Sequence, residues 1–441
     1  MSWLPTGFLE EIPKSDLHVH LDGSLRLSTL LELAKASGMI LPADTEEGMR
    51  QEVFKDSYKN LFEYLEGFKY TAAVMKTRAG LERVAYEFAQ DNYAEGVRYF
   101  EVRFAPQLIT SLKPSDDLDV REVIRVVNAG LLRAKDEANA ALIAQGKSSI
   151  EPFYEYGIIV CAMRMFPPSE YFDALAAIHH GLIHERLSSI ASETLVATAI
   201  RSRDEDGIPV VAIDIAGAED GYPNKVHTSA FNIAHAHMFG KTVHAGEAYG
   251  PQSIFQAVID LHAERIGHGF HLFSKDLIVD DKLDEHGREE YVRKLIKFVS
   301  DRRICFEVCL TSNLGTMPGL HLDDHAAKLM VNSGVSLTIN TDNRLVSDTT
   351  TTKELERAVS ALQLTPKQLR EIVITGFKRS FFHGEYAVKR KYIRSVMDFY
   401  DSIAAKYRIQ ELYNNFVGKC TADKTAIYVA ANEYPKLSSL L

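Results

Sequence analysis

The chain has no Cys-x-x-Cys pair. Its four cysteines, Cys161, Cys305, Cys309 and Cys420, are scattered over 441 residues. The first three lie in apolar, strand-like runs, where a free cysteine behaves as a small hydrophobe. That argues against a disulfide framework and for a reducing compartment. No apolar run is long enough to cross a bilayer, and Met1 to Pro13 lacks a basic start followed by an apolar core. The expected location is cytoplasmic, with no membrane partner. No basic stripe stands out either. The formal net charge is −10, and the densest basic cluster, Lys389-Arg390-Lys391, reads as a solvated helix face. Nucleic-acid binding driven by counterion release is therefore not expected. There is no long Gly/Ser/Pro linker and no internal repeat, so residues 1–441 read as one large domain. The 46% apolar and 25% charged balance is that of an ordinary globular protein.

What is present begins with Ser15-Asp16-Leu17-His18-Val19-His20-Leu21-Asp22-Gly23. In a strand, residues two apart share a face, so Asp16, His18, His20 and Asp22 point one way and Leu17, Val19 and Leu21 the other. Two imidazoles in register on one face can grip a single metal ion.

Strands and helices then alternate. Further strands are expected at Val97 to Pro106, Tyr154 to Met163, Val210 to Gly217, Lys241 to Glu247, Arg265 to Gly269, Ile304 to Asn313 and Val335 to Asp342. Leu25 to Ser37 has helical periodicity with Gly38 at its C-cap. Residues from Thr45 to Gln90 and from Pro114 to Ala144 read as helical, as do Ser253 to Ala263, Glu289 to Asp301 and Ala326 to Ser333. Leu61, Phe62, Leu65 and Phe68 form an apolar helical face, read either as core or as a lid over a pocket for a flat ligand. Eight β/α units with right-handed crossovers imply an α/β fold. Its form is a (β/α)8 TIM barrel, with a helical insertion after the first strand and extra C-terminal helices, Thr365-Pro366 opening one of them. A doubly wound dinucleotide-binding sheet would carry Gly-x-Gly-x-x-Gly after its first strand, and this chain has none.

In such barrels the chemistry lies at the C-terminal ends of the strands. Polar residues recur there: His18, His20 and Asp22, then Gly217 followed by Glu219, then His244 and Glu247, His268, Thr311-Ser312-Asn313, and Asp342-Asn343. Packing alone does not call for this recurrence. Strands one and eight are neighbours in a closed barrel, so His18, His20, His244 and Asp342 form the natural ligand set for a borderline ion such as zinc. Glu247 and His268 remain, one able to act as acid and the other as base. A water held by zinc has a pKa of about 7, so hydrolysis is the natural reaction. His179, His180, His184, His227, His235 and His237 fall in helical stretches and read as structural or surface groups, with His262 and His271 as spectators. Glu307, inside the seventh strand, fits a barrel-core role as well as a site role. Asp16, deep in the first strand, reads as a structural acid.

Together, Ser15 to Gly23, His244-Ala245-Gly246-Glu247, Arg265-Ile266-Gly267-His268-Gly269, Leu310-Thr311-Ser312-Asn313 and Asn340-Thr341-Asp342 resemble the adenosine deaminase family of zinc hydrolases. The motifs arrive in the family's order and span Pro13 to Leu345. The resemblance implies one zinc per chain on His18, His20, His244 and Asp342, and hydrolytic deamination of adenosine and 2′-deoxyadenosine in purine salvage. It makes Glu247 the acid at purine N1 and His268 the residue that orients or deprotonates the attacking water. It places the Gly217 N–H at N3 and Asp22 at the ribose 5′-hydroxyl. It also favours the lid reading of the aromatic helical face.

One departure stands out. The family usually has Asp-Asp-Pro after the eighth strand; here the run is Asp342-Asn343-Arg344. Asn343 has an N–H donor and can meet the acceptor N7 without a proton having to be held on a carboxyl. Asp22 speaks against free adenine, since relatives acting on the base tend to have Glu there, and against a 5′-phosphate, which a carboxylate repels. A two-metal amidohydrolase usually needs a bridging lysine where this chain has Asp214-Ile215-Ala216-Gly217. A non-catalytic binding protein would be expected to have lost part of the set. The fold is unrelated to the cytidine-type zinc deaminases, whose His-x-Glu and Pro-Cys-x-x-Cys signature is absent.

Overall fold

The computed structural model describes residues 3–113 and 116–422, without the side chains of Phe62 and residues 420–422. Pro114 and the tail past 422, both touched by the sequence reading, lie outside the described residues, as do the side chains of Phe62 and Cys420.

Eight parallel strands form one sheet in sequence order. They are β1 (Lys14–His20), β2 (Val97–Phe104), β3 (Glu155–Met163), β4 (Val210–Ala216), β5 (Gly240–Ala245), β6 (Arg265–His268), β7 (Cys305–Val308) and β8 (Ser336–Ile339). The sheet closes at its C-terminal rim. There the Asp342 N–H donates to His18 O at 2.8 Å and the His20 N–H to Asp342 O at 2.7 Å. Helices follow the strands, giving the expected (β/α)8 barrel. Between β1 and β2 lie helices Leu27–Ser37, Glu46–Glu52, Leu61–Leu65, Phe68–Val74 and Arg78–Ala94, and four more follow β8. Gly38 caps the first of these with φ 71°, and Thr365 with Gln368 makes a capping box ahead of Pro366. No helix among the described residues is long and apolar enough to cross a membrane.

The strands bury apolar side chains outward against the helices. Inward, the middle of the barrel is charged. Arg103 Nη1 lies 2.7 Å from Asp214 Oδ2, and its Nη2 lies 2.8 Å from Glu307 Oε2. Arg265 reaches Glu307 Oε1 and Glu101 Oε2, both at 2.5 Å. Thr242 donates to Glu307, Tyr99 to Glu101, and Arg265 to Arg379 O. These side chains are all buried.

One expected element ends early and another starts late. The seventh strand stops at Val308, and Leu310–Thr316 is a helix. The β7–β8 ladder ends at Val308↔Ile339, so the chain beyond has no partner strand. The Thr311 N–H instead donates to Glu354, and the Asn313 N–H closes a helical turn onto Cys309 O. The helix expected from Pro114 starts at Val120, where the Asp119 side chain accepts from the Glu122 N–H.

Candidate active site

The rim gathers His18 and His20 from β1, His244 from β5 and Asp342 just past β8. Ligand atoms of these four all lie within 4.8 Å of one another. His18 Nε2 and His20 Nε2 are each 3.4 Å from Asp342 Oδ1, and His20 Nε2 is 3.3 Å from His244 Nε2. The outer nitrogens are anchored to acids: His18 Nδ1 is 2.8 Å from Glu307 Oε2, and His244 Nδ1 is 2.9 Å from Asp214 Oδ2. Such carboxylate–histidine pairs aim the other nitrogen at a metal and raise its basicity. His18 Nε2 is buried without a hydrogen-bond partner among the described residues.

The electrostatics favour a cation. Burial and Arg103 both oppose a charge on His18, yet Asp342 and Glu307 raise its pKa overall. Burial would raise the Asp342 carboxyl, but His18, His268 and His20 hold it well below the usual range. Three imidazoles and one carboxylate, each of them held by an outer acid or the rim closure, fit a zinc-type site. Gly267 allows it: a Cβ there would come within 2.9 Å of His18 Cε1.

Glu247 and His268 lie beside the cluster. His268 Nε2 is 3.7 Å from Glu247 Oε1 and 4.0 Å from Asp342 Oδ2. Burial, then the Asp342 and Glu219 charges, push the Glu247 carboxyl up to about 8, so it holds its proton at neutral pH. Burial above all keeps His268 well below its ordinary value, hence neutral. His268 and Asp342 have φ of 61° and 59°. Left-handed backbone at two non-glycine residues costs about 1–3 kcal/mol each and concentrates at functional sites.

Asp22 is buried past the end of β1, with Oδ1 unpartnered among the described residues. Burial pushes it up to about 7. Gly217 follows β4 with φ 95°. Asn343 donates from Nδ2 to the Tyr64 hydroxyl at 2.7 Å, while its Oδ1 lies where a Cβ on Gly23 would stand. Arg344 turns away from the cluster to Asn92 and Glu95. Leu61, Leu65 and Phe68 pack on the core.

Several groups at this site were missed by the sequence reading or named there without a definite role. Glu219 accepts the N–H groups of Gly246, Glu247, Ala248 and Tyr249 and the Ser253 hydroxyl, so one carboxylate shapes the whole turn that carries Glu247. Arg164 is buried and donates to Tyr222 O, Asn224 Oδ1 and His244 O. Tyr64, whose hydroxyl meets Asn343 and Ser347, sat unnoticed inside the aromatic helix. Asp214 and Glu307 were visible only as lone acids in apolar strands. Asp16 accepts from the Thr341 N–H and hydroxyl, the structural role expected of it. His227 is likewise structural, buried against the Ser192 hydroxyl.

Residues 13–399 match the family described as Adenosine deaminase. The adenosine deaminase of Mycobacterium avium (strain 104) is 34% identical over 375 residues, covering 85% of this chain and 91% of that protein. Among solved structures, Arabidopsis ADAL complexed with IMP has a TM-score of 0.66 at 23% identity, covering 90% of this chain and 99% of that one. A Burkholderia ambifaria amidohydrolase with bound Zn has a TM-score of 0.67 at 19% identity, covering 90% and 93%. These two share the fold.

Proposed function

The chain belongs to the adenosine deaminase family, and we propose that it hydrolyses adenosine and 2′-deoxyadenosine to inosine or deoxyinosine plus ammonia, as a single barrel domain with one zinc ion per chain. The observation that carries this reading is a buried Glu247, its carboxyl pushed up to about 8 by burial, next to a converging His18, His20, His244 and Asp342. Those four residues would hold the metal, which when bound supplies a Lewis acid that makes water nucleophilic near neutral pH.

The chain's own groups do the rest. Glu247 gives its proton to purine N1 as water adds to C6. Of that water's two protons, one passes to the 6-amino group, which leaves as ammonia when the C6–N bond breaks. The other returns to Glu247, leaving a C6 carbonyl beside N1–H. A carboxyl held at about 8 is matched to that task at neutral pH. His268 faces the attacking water. The Gly217 N–H meets N3, and Asp22 takes the 5′-hydroxyl, for which its unpartnered Oδ1 is free. Asn343 meets N7: Tyr64 takes one hydrogen of its amide nitrogen, leaving the other for an acceptor. An Asn343→Ala enzyme with unchanged adenosine turnover and affinity would remove that assignment.

The test is a substrate panel of adenosine, deoxyadenosine, adenine and AMP, followed by ammonia release, with metal analysis before and after chelation. Adenosine turnover that tracks about one zinc per chain is expected. Stoichiometric zinc with no ammonia from any aminopurine would instead mean a binding protein on this barrel.

A further inference from the structure

His268 has a second neighbour besides the metal cluster. Its Nδ1 lies 3.2 Å from Asn313 Nδ2, and Asn313 Oδ1 lies 3.2 Å from His325 Nε2. His325 Nδ1 in turn receives the backbone N–H of Ala327 at 3.0 Å. All three side chains are buried, and the Phe270 ring meets His325 edge-on at 5.1 Å.

One link of this chain has no freedom. A backbone amide can only donate, so His325 Nδ1 must carry the lone pair. The His325 proton then sits on Nε2 and points at Asn313, whose facing atom must be the oxygen. The Asn313 amide nitrogen is thereby turned to His268 and donates to Nδ1. A neutral His268 is left with its proton on Nε2, the nitrogen that faces Glu247 and Asp342. The opposite arrangement needs Asn313 flipped and the His325 proton moved to Nδ1, against the Ala327 N–H. That is a buried donor–donor clash.

We propose that Asn313 and His325 are positioning residues that lock His268 as the Nε2–H tautomer, so that it meets the attacking water as a hydrogen-bond donor and not as its base. This rests on reading His268 as the group beside that water. It decides between the two roles open to that residue: Nε2 has no lone pair with which to remove a proton.

The decisive measurement is the ¹⁵N–¹H correlation of the histidine rings, recorded on the metal-free and zinc-loaded enzyme. His268 is expected to show a protonated Nε2 and a bare Nδ1 in both. Asn313→Asp offers Nδ1 an acceptor and should move the ring proton there, with kcat on adenosine lower by at least about 10²-fold and KM within a few-fold. If that variant does not fold, His325→Ala should turn the single His268 tautomer into a mixture. A wild-type His268 with its proton on Nδ1, or variants that leave it on Nε2, would overturn the proposal. The ring measurement needs no turnover, so a wild-type enzyme inert on adenosine defeats the functional reading and leaves the tautomer lock standing.

Discussion

The barrel holds two layers of buried charge, and they are finished differently. In the middle layer, Glu101, Arg103, Asp214, Arg265 and Glu307 spend all but one of their polar atoms on one another or on nearby donors and acceptors; only Arg103 Nε goes unmatched. At the rim above it, His18 Nε2, Asp22 Oδ1 and Asn343 Oδ1 are buried with no hydrogen-bond partner among the described residues. An unmatched buried polar atom costs about 1–3 kcal/mol. A layer that satisfies itself holds shape. One that leaves several atoms unmatched in one place, on strained backbone, is built to be completed by something else.

The difference is broken most severely at Glu247. Glu247→Gln keeps the size and burial but removes the proton donor, and kcat is expected to fall about 10²–10⁴-fold with the fold intact. The pH dependence checks the assignment. The wild-type carboxyl is raised from 4.5 to about 8, so activity that needs its proton is full below that point and falls as pH rises through it. The sign for stability is the same. The folded enzyme keeps a proton that the unfolded chain releases above about 4.5, so this group's contribution to stability declines from there to about 8. The glutamine variant should lack both slopes. A variant with near wild-type kcat would take Glu247 out of the chemistry.

In the middle layer the expected loss is of stability. Arg265→Met strips Glu101 and Glu307 of a shared cation. Breaking such a buried set by removing one partner costs about 3–5 kcal/mol, read in denaturant melts. Zinc content of the folded fraction should stay near one per chain. A variant that melts like wild type yet loses its metal would show that the two layers are one.

How much of this was legible follows the same division. The rim cluster could be read because each of its members is local: alternation puts His18 and His20 on one face, and strand-end position singles out His244 and Asp342. The interior network was not legible, since nothing near Glu307 in sequence announces Arg103 or Arg265, 204 and 42 residues away. Tyr64 and the His325–Asn313 pair were hidden for the same reason, their partners lying on other elements. The seventh strand was overrun because Thr311 and its neighbours extend a β-type pattern, while the partner strand β8 had already ended. Asp22 lies on the turn after β1 and not on the strand's face, because the strand ends at His20.

Glu219 sharpens the contrast from the rim side. It is saturated, yet it serves the unsaturated layer by holding the turn that aims Glu247. Glutamine has one acceptor oxygen for five donors, so its amide must face N–H groups. Hydrogen bonds to a charged group are worth about 1.5–3 kcal/mol each, so Glu219→Gln should lower the unfolding free energy by an amount of that order, read in denaturant melts. It should also lower kcat more than it weakens zinc binding.

The smallest expected effect falls where the layers touch. Asp214 accepts from Arg103 below and faces His244 Nδ1 above, and its other oxygen accepts the N–H groups of Ile215 and His244. Arg103 and His244 hold its carboxyl far below the usual range although burial works the other way. Asparagine must turn its amide either at Arg103 or at those backbone donors, and so His244 loses a full anionic anchor. Outer-shell partners of this kind are worth about 10–100-fold in metal affinity. Asp214→Asn should therefore bind zinc about that much more weakly, measured by competition with a chelator, while kcat at saturating zinc falls far less than in Glu247→Gln. An unchanged affinity would place Asp214 wholly in the self-satisfied layer, and leave His244 oriented by the barrel wall alone.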